Sequence, residues 1–400
     1  MKFAITGTAA LLLGTAPVLA GGIERAPQSL APLFEQGNYV ELSFGGVDPT
    51  VEGRDTAGFR TGDVAQGYGF GGLAYKHQFT PGISGAIIIE QPFGADIRYP
   101  TQPGFPPNPE DEGSVLLGGT AARVDSTTFT AIGRYQFQNN FSVHGGLRGS
   151  RADGEVTLNG CAYSNPLLPT PCSGGVQGYN VVLESNTATG FVAGAAYELP
   201  AIAARVALTY NSKVDHDFRI RETGPLVDPD GPGPIPALPL LEGTSTLTVS
   251  TPKSWNLDFQ SGVAPGTLVF GSVRWVEWSA FRVDPERFVA VTGGGLVELE
   301  DTTTYTLGVG RQFNETWSGS AAFTFEKKGD DLVSPLAPTN GRRGITLAAI
   351  YNQGPLRVTT GINYTKLGDA SPETGTPDTA RARMEGSDAL GIGVRVGYRF

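Results

Sequence analysis

The residues that could carry chemistry are few: three histidines, two cysteines and a scatter of carboxylates and cations. Ser142 and His144 would be the nearest approach to a nucleophile and its base. In an extended chain, residues two apart point the same way, and no acidic residue stands beside this pair to orient the imidazole. His77 and His216 are isolated, with no second ligand at a metal-binding spacing. Gly308-Val-Gly310 lies inside a strand-like stretch, and without a following helix it cannot cradle phosphate. Cys161 and Cys172 enclose ten residues rich in Pro and Ser. Two thiols alone leave a tetrahedral metal half coordinated, so a disulfide closing one loop is expected of an exported chain. No catalytic residue, metal or cofactor is expected. What remains is the chemistry of binding and passage.

The elements that would position such chemistry are strands. Leu390, Ile392, Val394, Val396, Tyr398 and Phe400 alternate with Gly391, Gly393, Arg395, Gly397 and Arg399. A period of two places one set on each face, so one face is apolar and the other small or cationic. Phe129 to Phe137, Trp317 to Phe325, Ile345 to Tyr351 and Leu356 to Tyr364 repeat the pattern. Candidate strands fall at 39–45, 68–79, 83–93, 126–137, 141–155, 187–198, 203–219, 243–263, 267–278, 302–312, 317–326, 343–351, 356–367 and 389–400. The links between them alternate between tight turns and long loops, which puts all the long loops on one side. Even strand number with short turns on one rim and long loops on the other is the signature of a bacterial outer-membrane barrel. The expected fold is therefore all-β: a fourteen-stranded antiparallel transmembrane β-barrel with a short N-terminal plug.

Composition fits export and argues against other classes. With 56 Gly, 21 Phe, 13 Tyr and only 2 Met, the chain is aromatic- and glycine-rich. After the N-terminal stretch no run of about 18 apolar residues exists, so a transmembrane helix is not available. The net charge of −10 argues against nucleic acid, whose binding needs a concentrated basic face. Lys2, the apolar run Phe3 to Leu13 and the small residues up to Ala20 read as a signal peptide, 1–20, cleaved before Gly21. Residues 21–38 are then a short plug and 39–400 the barrel, as one domain.

Several segments resemble the family of outer-membrane long-chain fatty acid and aromatic hydrocarbon transporters. Pro252-Lys-Ser-Trp255 through Leu268 to Trp278-Ser279-Ala280-Phe281 is the longest match. Gly194-Ala-Ala-Tyr197 with Val206 to Val214 is a second, and Gln91-Pro92-Phe93-Gly94 is a third. The resemblance covers nearly all of the chain after residue 20. It implies a barrel closed by an N-terminal hatch, with an inward kink in the third strand that opens the wall sideways. Pro92, Phe93 and Gly94 match that kink; proline removes a ladder donor and glycine weakens a strand, so pairing should break there.

Two features depart from the family pattern. The hatch is short and lacks the usual Asn-Pro-Ala; Ala31-Pro32-Leu33-Phe34 stands in its place, with Leu33 and Phe34 expected to face the kink. For a carboxylate headgroup, inward parity selects Arg148 beside His144, whereas the family match selects Arg151. The two agree only if a bulge near Gly149 shifts the register. The family's second basic partner, before the tenth strand, finds Glu298, Glu300 and Asp301 instead.

The expected function is passive uptake of long-chain fatty acids or other hydrophobic molecules, through the lumen and a lateral opening. The alternative is a diffusion porin for small polar solutes. Expected partners are the hydrophobic ligand, outer-membrane lipid and lipopolysaccharide, and the barrel assembly machinery.

Overall fold

A strand of the wall must satisfy its backbone inside the membrane, and in this chain the strands do so by pairing side by side around a ring. The computed structural model describes residues 22–26, 28–165, 172–228, 237–375 and 378–400; the expected signal peptide lies outside them. The strands, numbered β1 to β14, are Tyr39–Thr50, Tyr68–Thr80, Ile83–Glu90 continued by Gly94–Arg98, Ala121–Gln136, Phe141–Leu158, Tyr179–Leu199, Ala204–Asn211 continued by Val214–Thr223, Gly243–Thr251 continued by Ser254–Ala264, Thr267–Val276, Thr302–Gln312, Trp317–Glu326, Arg342–Gln353, Leu356–Leu367 and Asp388–Arg399. All neighbours are antiparallel, and β1 closes on β14 from Tyr39↔Arg399 to Thr50↔Asp388. A closed fourteen-stranded ring leaves no edge to lipid.

Side chains are sorted inside out, as a membrane requires. Leu42, Phe44, Leu147, Phe191, Leu208, Leu307, Phe323, Leu347 and Ile392 stand exposed on the outer face. Their in-facing neighbours are polar and buried: Lys76, Thr130, Arg134, His144, Arg148, Asn211 and Asn363. Aromatics gather near the short-turn rim, with Tyr135 edge-on to Phe137 at 4.8 Å and Trp317 against Tyr351 at 5.1 Å. No helix among the described residues is long and apolar enough to cross a membrane. Several strands run further at the long-loop rim than the alternation alone indicates; among them β4 starts at Ala121 and β6 at Tyr179 rather than at 126 and 187. The added ends of these two carry Arg123, Asp125, Asn180 and Glu184, because the wall continues above the lipid, where its outer face meets water.

The long loops pack on one another. Val51, Val64, Ile97, Tyr99, Leu117, Ala382 and Met384 form one buried cluster at that rim. The Tyr99 hydroxyl donates to the Pro335 carbonyl at 3.0 Å, and burial holds it well above the usual phenol range. Cys161 and Cys172 are bonded in the loop between β5 and β6. A cross-link over so short a loop contributes on the order of 2–3 kcal/mol of local stability. Reduction is expected to open residues 160–165 and 172–175 to protease, while the barrel keeps its compact, heat-resistant migration on gels. A barrel that unfolds on reduction would contradict this.

Candidate functional site

The wall is interrupted at one place that matters for passage. β3 stops at Glu90, opposite Thr128 of β4, and resumes at Gly94, opposite Asp125. Three residues, Gln91, Pro92 and Phe93, thus face two, Ser126 and Thr127, and the chain leaves the ladder. Pro92 has no N–H to give. The Ser126 hydroxyl takes over Phe93, accepting from its N–H at 3.0 Å and donating to its carbonyl at 2.6 Å. On the other side, the β2 ladder ends at Leu73↔Ile89. Pairing returns only beyond β2, where Ala65 bridges Ile97 and the Gln66 N–H reaches the Asp96 carbonyl at 2.9 Å. Between these points Gly71 N–H meets the Gln91 side-chain oxygen at 3.0 Å. A cavity of about 80 Å³ lies here. Ser29, Ala74 and Ile88 line it from within, and Phe44, Leu73 and Ile89 from the outer face.

The backbone groups that β3 withholds from β2 go to the N-terminal segment. Glu24 forms an antiparallel bridge with Phe93; Gly94 N–H donates to the Ile23 carbonyl at 2.8 Å, and Arg25 N–H to the Pro92 carbonyl at 2.8 Å. The Arg25 side chain lies over Gly94, where a Cβ would sit 2.5 Å from its guanidinium carbon. Arg25 pairs with Asp125 at 2.9 Å, and Glu24 pairs with Arg274 of β9. Residues 22–26 thereby tie β3, β4 and β9 together.

The chain then makes a single 3-10 turn, Ala31–Phe34, and here the expected orientation needs correction. Leu33 and Phe34 do not face the kink. Leu33 is fully buried against Ala74, Ala86, Ile88, Ile132 and Val192, lower in the barrel. Burying it contributes about 2 kcal/mol. The Phe34 ring sits between two guanidiniums, Arg205 at 4.4 Å and Arg134 at 4.8 Å, with His144 edge-on at 5.8 Å. Glu35 follows, paired with Arg399 at 2.6 Å and Arg357 at 3.4 Å. Lys76 donates to the carbonyls of Glu35 and Gly37 at 2.9 and 2.8 Å. The sequence places hydrophobes here for the wall's inner face, and charges for the rim.

The inward cations are settled by register. Arg148 faces the lumen, donating to Thr130 at 3.1 Å and to Asn211 at 3.0 Å; its second terminal nitrogen has no hydrogen-bond partner among the described residues. Arg151 faces out and donates to Ser185 at 2.7 Å. No bulge occurs at Gly149; β5 and β6 slip between Ala152 and Gly154, too late to turn Arg151 inward. The strand period therefore decides between the two arginines. Arg274 and Arg205 are lumen cations that sequence reasoning missed, although the alternation of Arg274 with Trp275 and Val273 and of Arg205 with Val206 places both inside. Glu298 and Asp301 lie in the loop, paired with Arg282 at 3.2 Å and accepting from Ser279 N–H at 3.0 Å. Ser142 and His144 do not form a reactive pair: Ser142 accepts from Arg134 at 3.1 Å and His144 meets Thr209 at 3.0 Å.

Above the break, apolar side chains of the wall and the loops pack together inside the barrel. Ile23, Phe93, Val181, Phe218, Ile220, Trp278, Phe281 and Phe288 belong to one buried cluster. Much of it comes from the loop between β9 and β10, which carries the helix Glu286–Thr292. The loop seats by packing Phe288 on Tyr179, ring centroids 4.7 Å apart and the rings tilted at 41°.

The sequence profile of the outer membrane protein transport protein family (OMPP1/FadL/TodX) matches residues 14–400. The chain belongs to this family. Members are outer-membrane channels for hydrophobic compounds, and this one is a barrel of the Gram-negative outer membrane. Among solved structures, a Pseudomonas aeruginosa FadL homologue superposes with a TM-score of 0.70 at 16% identity, covering 97% of each chain. The Pseudomonas putida toluene transporter TodX gives 0.60 at 13%, covering 96% of each. The Ralstonia pickettii toluene transporter TbuX gives 0.59 at 10%, covering 97% of this chain and 98% of its own. At such identities the likeness speaks for the fold alone. No curated protein matches the sequence.

Proposed function

We propose that this family member takes up a hydrophobic molecule, a long-chain fatty acid or a hydrocarbon, passively and releases it sideways. Ligand enters the apolar upper lumen from the loop side and leaves through the break between β2 and β3 into the bilayer. Residues 22–38 serve as the hatch that keeps the lower lumen shut. The carrying observation is the cavity at the break, which has lining residues from both faces of the wall. Where the cargo bears a carboxylate, the open nitrogen of Arg148 is its contact.

One observation favours a second reading, a porin for small polar solutes. A cavity of about 280 Å³ on the short-turn side is lined by Glu35, Glu41, Arg311, Arg357, Arg395 and Arg399. Such a surface suits water and ions. Leu33 and Phe34, however, lie between this vestibule and the apolar upper lumen.

A short thiol crosslinker between cysteines at Gly71→Cys and Gln91→Cys, in a Cys161→Ser/Cys172→Ser background, tests the lateral route. The crosslinked barrel is expected to lose at least nine-tenths of its oleate uptake in cells, and the uncrosslinked variant to keep it. Full uptake after crosslinking would send the cargo elsewhere.

A further inference from the structure

The break in the wall touches one more element. Trp278, at the start of the loop between β9 and β10, is 1% exposed and is the largest of the fully buried side chains. Its indole meets Phe93, the residue that leaves the ladder, edge-to-face at 5.9 Å and 83°. It lies against Gly22 so closely that a Cβ there would sit 2.3 Å from the ring. Phe281 packs at 6.4 Å on a further side. One side chain therefore contacts the apolar upper lumen, the kink and the N-terminal segment.

Trp278 is fixed at its base by polar contacts and at its ring by apolar ones alone. Ser279 N–H is held by Asp301 at 3.0 Å, Glu277 N–H by the Lys253 carbonyl at 3.1 Å, and Lys253 pairs with Glu277 at 2.7 Å. The ring itself rests on apolar contacts, against a kink held outside the barrel ladder and a glycine. Burial of apolar surface is non-directional, so another ring or chain can replace the indole, while the pinned base keeps the loop in place.

We propose that Trp278 is the gate and size filter between the upper lumen and the lateral break. The cargo displaces the indole from Phe93 and Gly22 and takes its place against Phe93, so a single aromatic ring or a methylene chain passes and a fused system much larger than the indole, such as pyrene, does not. This inference rests on the lateral-exit reading for the destination of the cargo, but not for the displacement itself.

The test uses the intact barrel with Trp255→Phe, Trp275→Phe and Trp317→Phe, which leaves Trp278 as the sole tryptophan, excited selectively above the tyrosine band. Acrylamide quenching is expected to be weak and to rise at least threefold when ethylbenzene is added. Unchanged quenching at saturating ethylbenzene would overturn the proposal. In cells, Trp278→Ala is expected to cut the preference for ethylbenzene over pyrene at least fivefold, with Trp278→Phe restoring most of it. An unchanged preference in an assembled Trp278→Ala barrel would also overturn it; should that variant fail to assemble, Trp278→Leu gives the same comparison. Repeating the quenching on the Gly71/Gln91 crosslinked barrel separates the two ideas. Ligand-dependent exposure of Trp278 persists there even with exit blocked, and uptake that survives the crosslink counts against the lateral route alone.

Discussion

Glu35→Ala is expected to raise the ion conductance of the barrel. Glu35 is buried and holds two arginines, Arg399 and Arg357, that come from β14 and β13. Removing one partner of a buried pair leaves the others uncompensated, a loss of about 3 kcal/mol when, as here, Arg399 keeps some contact with water. Since about 1.4 kcal/mol is tenfold in an equilibrium, the unseated state gains roughly two orders of magnitude. Single-barrel conductance in planar bilayers should rise at least tenfold, with Glu35→Gln intermediate. The turn also rests on Leu33 and the Phe34 cage, so Phe34→Ala combined with Glu35→Ala should conduct more than either alone. Conductance unchanged in both Glu35 variants would mean the N-terminal segment is held by other contacts or does not seal.

Deleting Pro92 is the second change with a large expected effect. Three residues of β3 now face two of β4; removing one restores a one-to-one register and lets the strand run straight past Ser126. It also removes the carbonyl that accepts from Arg25 and Ala26. Uptake of oleate should fall at least tenfold while assembly and heat-resistant migration are kept. Wild-type uptake by the straightened barrel would show that the interruption is incidental to passage.

How far the chain can be read without coordinates follows from what leaves a periodic trace. Leu390 to Phe400 and Phe129 to Phe137 declare their faces because lipid accepts only apolar groups on every second residue. Fourteen strands and the segregation of loops come from the same constraint. Arg148 and Arg151 are told apart by parity alone, once no bulge intervenes at Gly149. Above the lipid the constraint lapses, and there the starts of β4 and β6 are displaced from the alternation. Residues 23–26 left no signal at all: they bind Pro92 and Gly94 through backbone groups, which every sequence offers. The cage around Phe34 needs Arg134, Arg205 and His144 from three different strands, so no local spacing announces it. Trp278 stands in a recognisable Trp-Ser-Ala-Phe stretch, yet its contact with Phe93 spans nearly half the chain.

The central claim is that the barrel passes apolar molecules and excludes polar ones of similar size. Its most direct test is a side-by-side measurement in cells lacking their own hydrophobic-compound channels, comparing initial oleate uptake with entry of a small sugar. With this barrel present, oleate uptake is predicted to rise at least tenfold and sugar entry to stay at the level of barrel-free cells. Rapid sugar entry without faster oleate uptake would contradict the account and make the molecule a polar diffusion pore.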